Sequence, residues 1–291
     1  MSASTIRRLL AEGRTINMPG LYDALSARLA EQAGFEVGFV SGYAVSAARL
    51  ASPDVGYLGA AEMAQTAGEV CAVTRMPVIV DADTGYGNAL SARHTARRLA
   101  SVGAAGLFLE DQVWPKKCGH FAGKRVTSSG EWLSKLRAVL DLREDGADLF
   151  VVARTDARAA VSLDEALRRA ESAAALGVDA IFVEAPQSVD ELEAITAATP
   201  GIARVANMVE GGRTPLLTPT ELHDLGFDLI VTPLTALFAA TKAIQSAFAT
   251  LARDGTMRDR TDLLIGFTEF GAVTGMAAHQ ALDARYATDG D

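Results

Sequence analysis

Five stretches of the chain share one design: AGFEVGFVSG from Ala33, VGAAGLFLED from Val102, DGADLFVVAR from Asp145, LGVDAIFVEA from Leu176 and LGFDLIVTP from Leu225. In each, a glycine able to end a helix in the left-handed conformation precedes a short polar or small spacer and then a wholly apolar run. A strand apolar on both faces is covered on both faces, and strands that alternate with helices form a parallel sheet under those helices. Counting every such run predicts eight strands, at residues 15–17, 37–41, 78–83, 106–110, 149–154, 180–184, 203–207 and 229–232. Eight closes a (β/α)8 barrel, whereas an open doubly wound sheet more often stops at five or six. The expected fold class is therefore α/β, a TIM barrel formed by residues 1–291 as one domain.

The helices between the strands carry start signals. Ser128 with Glu131, Ser162 with Glu165, Ser188 with Glu191, and Thr218 with Pro219 and Glu221 have capping spacing. A helix over 234–254 follows the eighth strand. The apolar stretch 263–286, within a C-terminal helical segment at 255–291, is surplus to one barrel; it packs either on another subunit or back on its own barrel.

The 291 residues suit a single α/β barrel, and a formal net charge of −9 argues against a nucleic-acid partner. An anionic substrate must then be drawn in by a local cationic site or a metal. Two cysteines, Cys71 and Cys118, make no disulfide framework; no signal sequence opens the chain and no 18 uncharged apolar residues run together. A cytoplasmic protein with no membrane partner is expected.

In a barrel of this kind catalytic groups stand at the C-terminal ends of the strands. Those ends carry Ser41 and Gly42, Asp81 and Asp83, Glu110 and Asp111, Arg154 and Asp156, Glu184, and Asn207. Asp81 and Asp83, two apart in a strand, would share a face and repel unless a cation lies between them, and oxygen ligands of this type suit Mg2+. Glu110, one strand over, would hold a water of that ion. The other reading of D-x-D is turn chemistry opening DTGYGN, where Gly85-Tyr86-Gly87 supplies loop geometry and is too short for a dinucleotide fingerprint. Arg154 can clamp a substrate carboxylate in two-pronged fashion or pair with Glu184 or Asp156, and Asn207 adds an uncharged donor. His94, His223 and His279 fall on helices as surface or packing residues, and Cys71 in a helical core position.

Between the fourth strand and the next helix lie 17 residues without periodicity, DQVWPKKCGHFAGKRVT at 111–127, a length usually reserved for lids or binding loops. Cys118 sits there among Lys116, Lys117, His120, Lys124 and Arg125. Such a setting lowers a thiol pKa and attracts polycarboxylates; the alternative is a solvated basic loop with an unreactive cysteine.

Taken together, DADTGYGN at 81–88, Glu110-Asp111, KKCGH at 116–120 and NMVEGG at 207–212 resemble the isocitrate lyase and phosphoenolpyruvate mutase superfamily over nearly the whole chain. The resemblance implies a barrel whose last helix is exchanged between subunits, a homotetramer built as a dimer of helix-swapped dimers, and Mg2+, with Mn2+ as a substitute, at the strand ends. It implies a gating loop at 111–127 carrying the cysteine. Asp81 and Asp83 would then serve the metal with Glu110 in its outer shell, Ser41, Gly42, Arg154 and Asn207 would hold a 2-oxo acid, and Asp54 would be a carboxylate near the metal.

Cys118 resembles the carbon–carbon lyases, whereas the carbon–phosphorus enzymes and oxaloacetate decarboxylases generally lack it. Phe39 and Lys117 depart from the methylisocitrate branch, which has Tyr and Arg there, and Pro233 departs from the oxaloacetate hydrolases, which tend to have Ser. SGYAVS at 41–46, NMVEGGRTP at 207–215 and TPLTAL at 232–237 look most like the 2,3-dimethylmalate lyase and petal-death-protein branch, which handles 2-alkylmalate-type dicarboxylates.

The expected reaction is Mg2+-dependent cleavage of a 2-hydroxy dicarboxylate into a 2-oxo acid such as pyruvate and a monocarboxylate. Cys118 is the expected proton donor, Lys117, His120 and Glu184 assist around it, and either Tyr43 or a metal-associated carboxylate is the initiating base. Tyr43 also counts among the substrate-binding residues. The rival readings are an oxaloacetate hydrolase or decarboxylase or a phosphonopyruvate-type enzyme on the same scaffold, a catalytically silent barrel that binds an oxo acid, and a phosphate-binding barrel isomerase.

Overall fold

In a computed structural model, which describes residues 2–117 and 123–287, eight parallel strands close in chain order into a barrel. They are β1 (Ile16–Leu21), β2 (Gly38–Val40), β3 (Val78–Asp81), β4 (Gly106–Glu110), β5 (Phe150–Thr155), β6 (Ala180–Val183), β7 (Ala203–Asn207) and β8 (Leu229–Thr232). β1 pairs with both β2 and β8, with Ile16 opposite Leu229 and Leu21 opposite Val40, so no sheet edge remains. The expected barrel is thus the observed one.

The apolar runs explain the layering. Alternate strand residues point inward, where Met18, Phe39, Ile79, Phe108, Phe150, Phe182, Val205 and Val231 form one buried cluster. Their neighbours point outward into a second cluster with the helices, including Val40, Val80, Leu107, Leu109, Val151, Ile181 and Ile230. Each fully buried side chain of this size contributes roughly 1.5–3 kcal/mol. The helix Ala3–Ala11 buries Ala3, Ile6 and Leu9, spaced three apart, in the inner cluster. Arg7 of that helix bonds Asp148, Asp179 and the Leu149 carbonyl, just ahead of β5 and β6. The N-terminal end of the barrel is therefore plugged, and the C-terminal end is left for chemistry.

Every capping signal is used: Ser128, Ser162, Ser188 and Thr218 each accept from the backbone N–H of the glutamate three residues on. His94, His223 and His279 lie on helices, and Cys71 is buried in the helix Ala60–Val73. Two strand limits differ in ways that matter. β1 runs on past the expected end at residue 17, through Pro19 and Gly20 to Leu21, because Gly20 lets the backbone approach Pro233. β3 stops at Asp81, because Asp83 takes a left-handed φ of 48°.

The chain divides into two compact units, Met1–Leu237 and Phe238–Asp291, so the helical tail begins inside the helix Thr235–Asp254, ahead of residue 255. The second unit adds the helices Phe267–Thr274 and Met276–Tyr286. Among its described residues only Thr250 and Val273 are buried, while Phe248, Phe267 and Tyr286 are 66% exposed or more. Among the described residues, no helix is long and apolar enough to cross a membrane.

Candidate active site

The open end of the barrel holds a cleft lined by Phe39, Ser41, Tyr43, Asp54, Asp81, Phe108, Arg154, Phe182, Glu184, Asn207, Val209, Val231, Pro233 and Leu234. Its floor is aromatic, with Phe39 and Phe182 against Phe108 at ring separations of 4.7 and 5.5 Å. Its polar groups rise from the strand ends, as barrel geometry requires.

Ser41 ends β2 and caps the helix Gly42–Leu50, its Oγ accepting from Ala44 N–H at 3.4 Å. The first turn of this helix begins at Gly42 and Tyr43, and its positive end meets a group of carboxylates. A Cβ on Gly42 would stand 3.0 Å from Asp81 Oδ2 and 3.6 Å from Asp83 Oδ1. Any side chain here would therefore press on Asp81 and touch Asp83. They converge, as the sequence suggests, though not by strand alternation: the backbone reverses after Asp81, whose Oδ1 accepts from Asp83 N–H at 3.1 Å. Tyr86 donates its hydroxyl to Asp83 Oδ2 at 2.8 Å.

The expected position of the basic loop residues is redistributed. Lys117 is exposed and donates to the Gly123 carbonyl, while Lys116 is buried and reaches Asp54 Oδ2 and Asp83 Oδ1, each at 2.6 Å. The contact with Asp83 is close but lacks hydrogen-bond alignment, so Asp83 Oδ1 is an ion-paired oxygen without a directed donor. Burial, opposed by Lys116 and reinforced by Asp81 and Asp54, lifts the Asp83 carboxyl to about 7. The Lys116 ammonium is raised well above its usual range: four surrounding carboxylates outweigh the burial that alone would lower it. Lys116 was legible only as a neighbour of Cys118, because charge in an irregular loop normally faces water. Cys118 and His120 lie outside the described residues.

On the other side Arg154, from β5, faces three carboxylates. Its Nε lies 3.3 Å from Glu110 and 3.0 Å from Asp156, and its Nη2 lies 3.2 Å from Glu184. Both alternatives drawn from the sequence for its ion pair are present, and Glu110 joins them. Glu184 also accepts from Asn207 Nδ2 at 3.3 Å, and the buried Asn207 Oδ1 has no hydrogen-bond partner among the described residues. Burial raises the Glu110 carboxyl well above the usual range despite Arg154, and its Oε1 has no hydrogen-bond partner among the described residues. Asp111, although it ends the same strand, is taken up structurally by Thr155, Asp156 N–H and Arg169.

Among the described residues no three His, Cys, Asp or Glu side chains are already disposed as a metal cage. The donor chemistry nevertheless fits a hard divalent cation. Asp81 and Asp83 offer carboxylate oxygens at one point beside Gly42, and Glu110 Oε1 is a buried acceptor lacking a donor. An ion that binds through one or two carboxylates and keeps waters needs no fuller set.

The mouth of the barrel thus joins an aspartate pair, a carboxylate-braced arginine and a helix N-terminus, the strand-end polar groups expected of a barrel enzyme. The chain belongs to the phosphoenolpyruvate phosphomutase family, matching it over residues 6–252. It is 48% identical to the chloroplastic carboxyvinyl-carboxyphosphonate phosphorylmutase of Arabidopsis thaliana, over 96% of this chain and 83% of that one. It is 44% identical to the petal death protein of Dianthus caryophyllus, over 97% and 89% of the two chains. With 2,3-dimethylmalate lyase of Eubacterium barkeri it shares 39% identity over 99% of each. The crystal structure of 2,3-dimethylmalate lyase, a member of the PEP mutase/isocitrate lyase superfamily, superposes with a TM-score of 0.93 at 32% identity, over 100% and 98% of the chains. Phosphonopyruvate hydrolase with oxalate and Mg2+ gives a TM-score of 0.87 at 28% identity, over 98% and 99%. The superfamily resemblance is thereby established, and with it an enzyme of the superfamily that contains 2,3-dimethylmalate lyase.

Proposed function

We propose that this protein is a Mg2+-dependent carbon–carbon lyase acting on a 2-hydroxy dicarboxylate of the 2-alkylmalate type, giving a 2-oxo acid such as pyruvate and a monocarboxylate. The observation that carries the reading is the split character of the cleft: an aspartate pair beside a helix N-terminus, an arginine opposite, and aromatic and aliphatic walls between. The carboxylates Asp54, Asp81, Asp83, Glu110, Asp156 and Glu184 outnumber the cations Lys116, Lys124 and Arg154. A dicarboxylate enters such a site only with further positive charge.

Asp81 and Asp83 would hold the ion directly and Glu110 through water; bound there, it supplies the positive charge that lowers the pKa of the substrate hydroxyl. Arg154, Asn207, the Ser41 hydroxyl and the first turn of the helix at Gly42 and Tyr43 orient the substrate carboxylate. The hydroxyl proton leaves to Tyr43 or to a carboxylate beside the metal, with Asp54 close by. As C2–C3 breaks, the electron pair passes to C3, and Cys118 donates the proton that quenches it. Glu184 and His120 govern that proton, and the loop 111–127 shuts water out while the carbanion exists. The apolar wall of Val209, Pro233 and Leu234 suits alkyl substituents. The exposed apolar residues of the second unit fit subunit contact in a helix-swapped homotetramer.

A panel of malate, methylmalates, dimethylmalate and methylisocitrate supplied with Mg2+ should release pyruvate or glyoxylate from a branched member. Cys118→Ser should lower that turnover by about 10²-fold or more. The phosphorylmutase named among the relatives favours a second reading, carbon–phosphorus chemistry. Turnover of phosphonopyruvate with no oxo acid from the panel would establish it instead.

A further inference from the structure

The stem of the loop after β4 is fastened at two places by buried lysines, and only the first touches the aspartate half of the cleft. The second, Lys124, has a side chain 1% exposed, with Nζ 2.6 Å from Asp156 Oδ1. That carboxylate, itself fully buried, is shared: Arg154 Nε donates to Oδ2 at 3.0 Å and Arg154 Nη2 to Oδ1 at 3.3 Å. Asp156 cannot swing away to compensate for a lost partner. Its backbone N–H is tied to Asp111 Oδ1 at 2.8 Å, and Asp111 is held by Thr155 Oγ1 and Arg169 Nη1. Lys124 is placed equally firmly, next to a ladder in which Val113 N–H donates to the Arg125 carbonyl at 2.8 Å and Gln112 pairs with Val126.

Arg154 has one positive charge and three buried carboxylates around it, and a substrate carboxylate would be the fourth. Out of water, a guanidinium so surrounded is drawn into its fixed partners and has little left for a ligand. A second cation on one of those carboxylates changes the balance. We propose that Lys124 is a positioning residue: its ammonium takes up part of the Asp156 charge, leaving Arg154 free to donate to the substrate carboxylate. The loop stem is thereby coupled to the carboxylate-binding side of the cleft. The inference rests on the oxo-acid reading above for its choice of ligand, not for its geometry.

Lys124→Gln removes the cation, and the double variant Lys124→Gln/Asp156→Asn removes the surplus anion with it. Calorimetric titration with oxalate in the presence of Mg2+ should show the single variant weakened by about ten-fold or more, the scale of a charge-assisted contact. KM should rise more than kcat falls, and the double variant should regain most of the loss, which a merely structural role would not produce. Oxalate affinity of the folded single variant within about two-fold of the parent overturns the proposal, as does a double variant no better than the single. Should the single variant not fold, the double decides: affinity within about three-fold of the parent supports the role and a loss of about ten-fold or more overturns it. If the parent binds no oxalate, the oxo-acid reading fails, and the crystal structures of the two variants decide. A guanidinium of Arg154 displaced towards Asp156 in the single variant and restored in the double supports the coupling; one unmoved in both removes it.

Discussion

At the scale of single residues, the cleft shows that carboxylates of one kind are given different states by what surrounds them. Burial acts to raise Glu110, Asp83 and Asp156 alike. Glu110, facing only part of Arg154, remains high; Asp83, shared between Lys116 and two other aspartates, lies at about 7. Asp156 is the exception, because Arg154 and Lys124 together outweigh burial and hold it at about 2. Its folded-state pKa is thus below the unfolded value of about 3.9, so its charge stabilises the fold above about pH 4 and that contribution is lost as pH falls towards 2. Asp156→Asn should therefore be markedly less stable than the parent near neutrality, with the difference shrinking on acidification. Urea unfolding near pH 6 and near pH 3 measures it, and a gap that does not change with pH would contradict the assignment. Strand-end polarity made Asp81, Asp83, Glu110, Arg154, Glu184 and Asn207 legible in the sequence. Lys116, Lys124 and Tyr86 were not, because a buried lysine and a solvated one look alike until the carboxylates that bury it are placed.

At the scale of elements, the local signals were followed closely. The apolar runs became strands, and the Ser and Thr caps start the helices where expected. Of the two departures, that of β3 comes from the left-handed Asp83 and that of β1 from a glycine whose work depends on a distant neighbour. Gly20 sits in β1 where a Cβ would meet the Pro233 carbonyl at 2.0 Å, just beyond β8 and at the wall of the cleft. Gly20→Ala must push those backbones apart, and a cost of about 1–3 kcal/mol or more is expected, read as a lower thermal midpoint and impaired turnover. Gly130, inside the helix Ser129–Leu140 with nothing within 4 Å of an added Cβ, is the contrast. Gly130→Ala should raise the midpoint by removing unfolded-state entropy, worth about 0.5–1 kcal/mol. Equal effects at the two positions would show that the close approach to Pro233 is not what β1 depends on.

At the scale of the molecule, the first unit closes on itself whereas the second carries its apolar side chains on the surface. Phe267 is 93% exposed, and Phe270, Leu264, Ile265 and Met276 are exposed with it. A surface of that character is retained in aqueous proteins where something covers it. Light scattering should give a mass that is a multiple of the chain, and Phe267→Asp/Phe270→Asp should reduce it. A monomeric parent at micromolar concentration would rule out the subunit contact.

The sequence alone determined the barrel and most of its polar rim, since burial on two faces and helix capping are properties of short segments. Only the tertiary structure decided which loop lysine enters the cleft, why Asp83 meets Asp81 although β3 has already ended, and that Arg154 is shared among three carboxylates. Those outcomes depend on charges brought together from strands far apart in the chain. Their energies are set by the water excluded between them, which no single segment encodes.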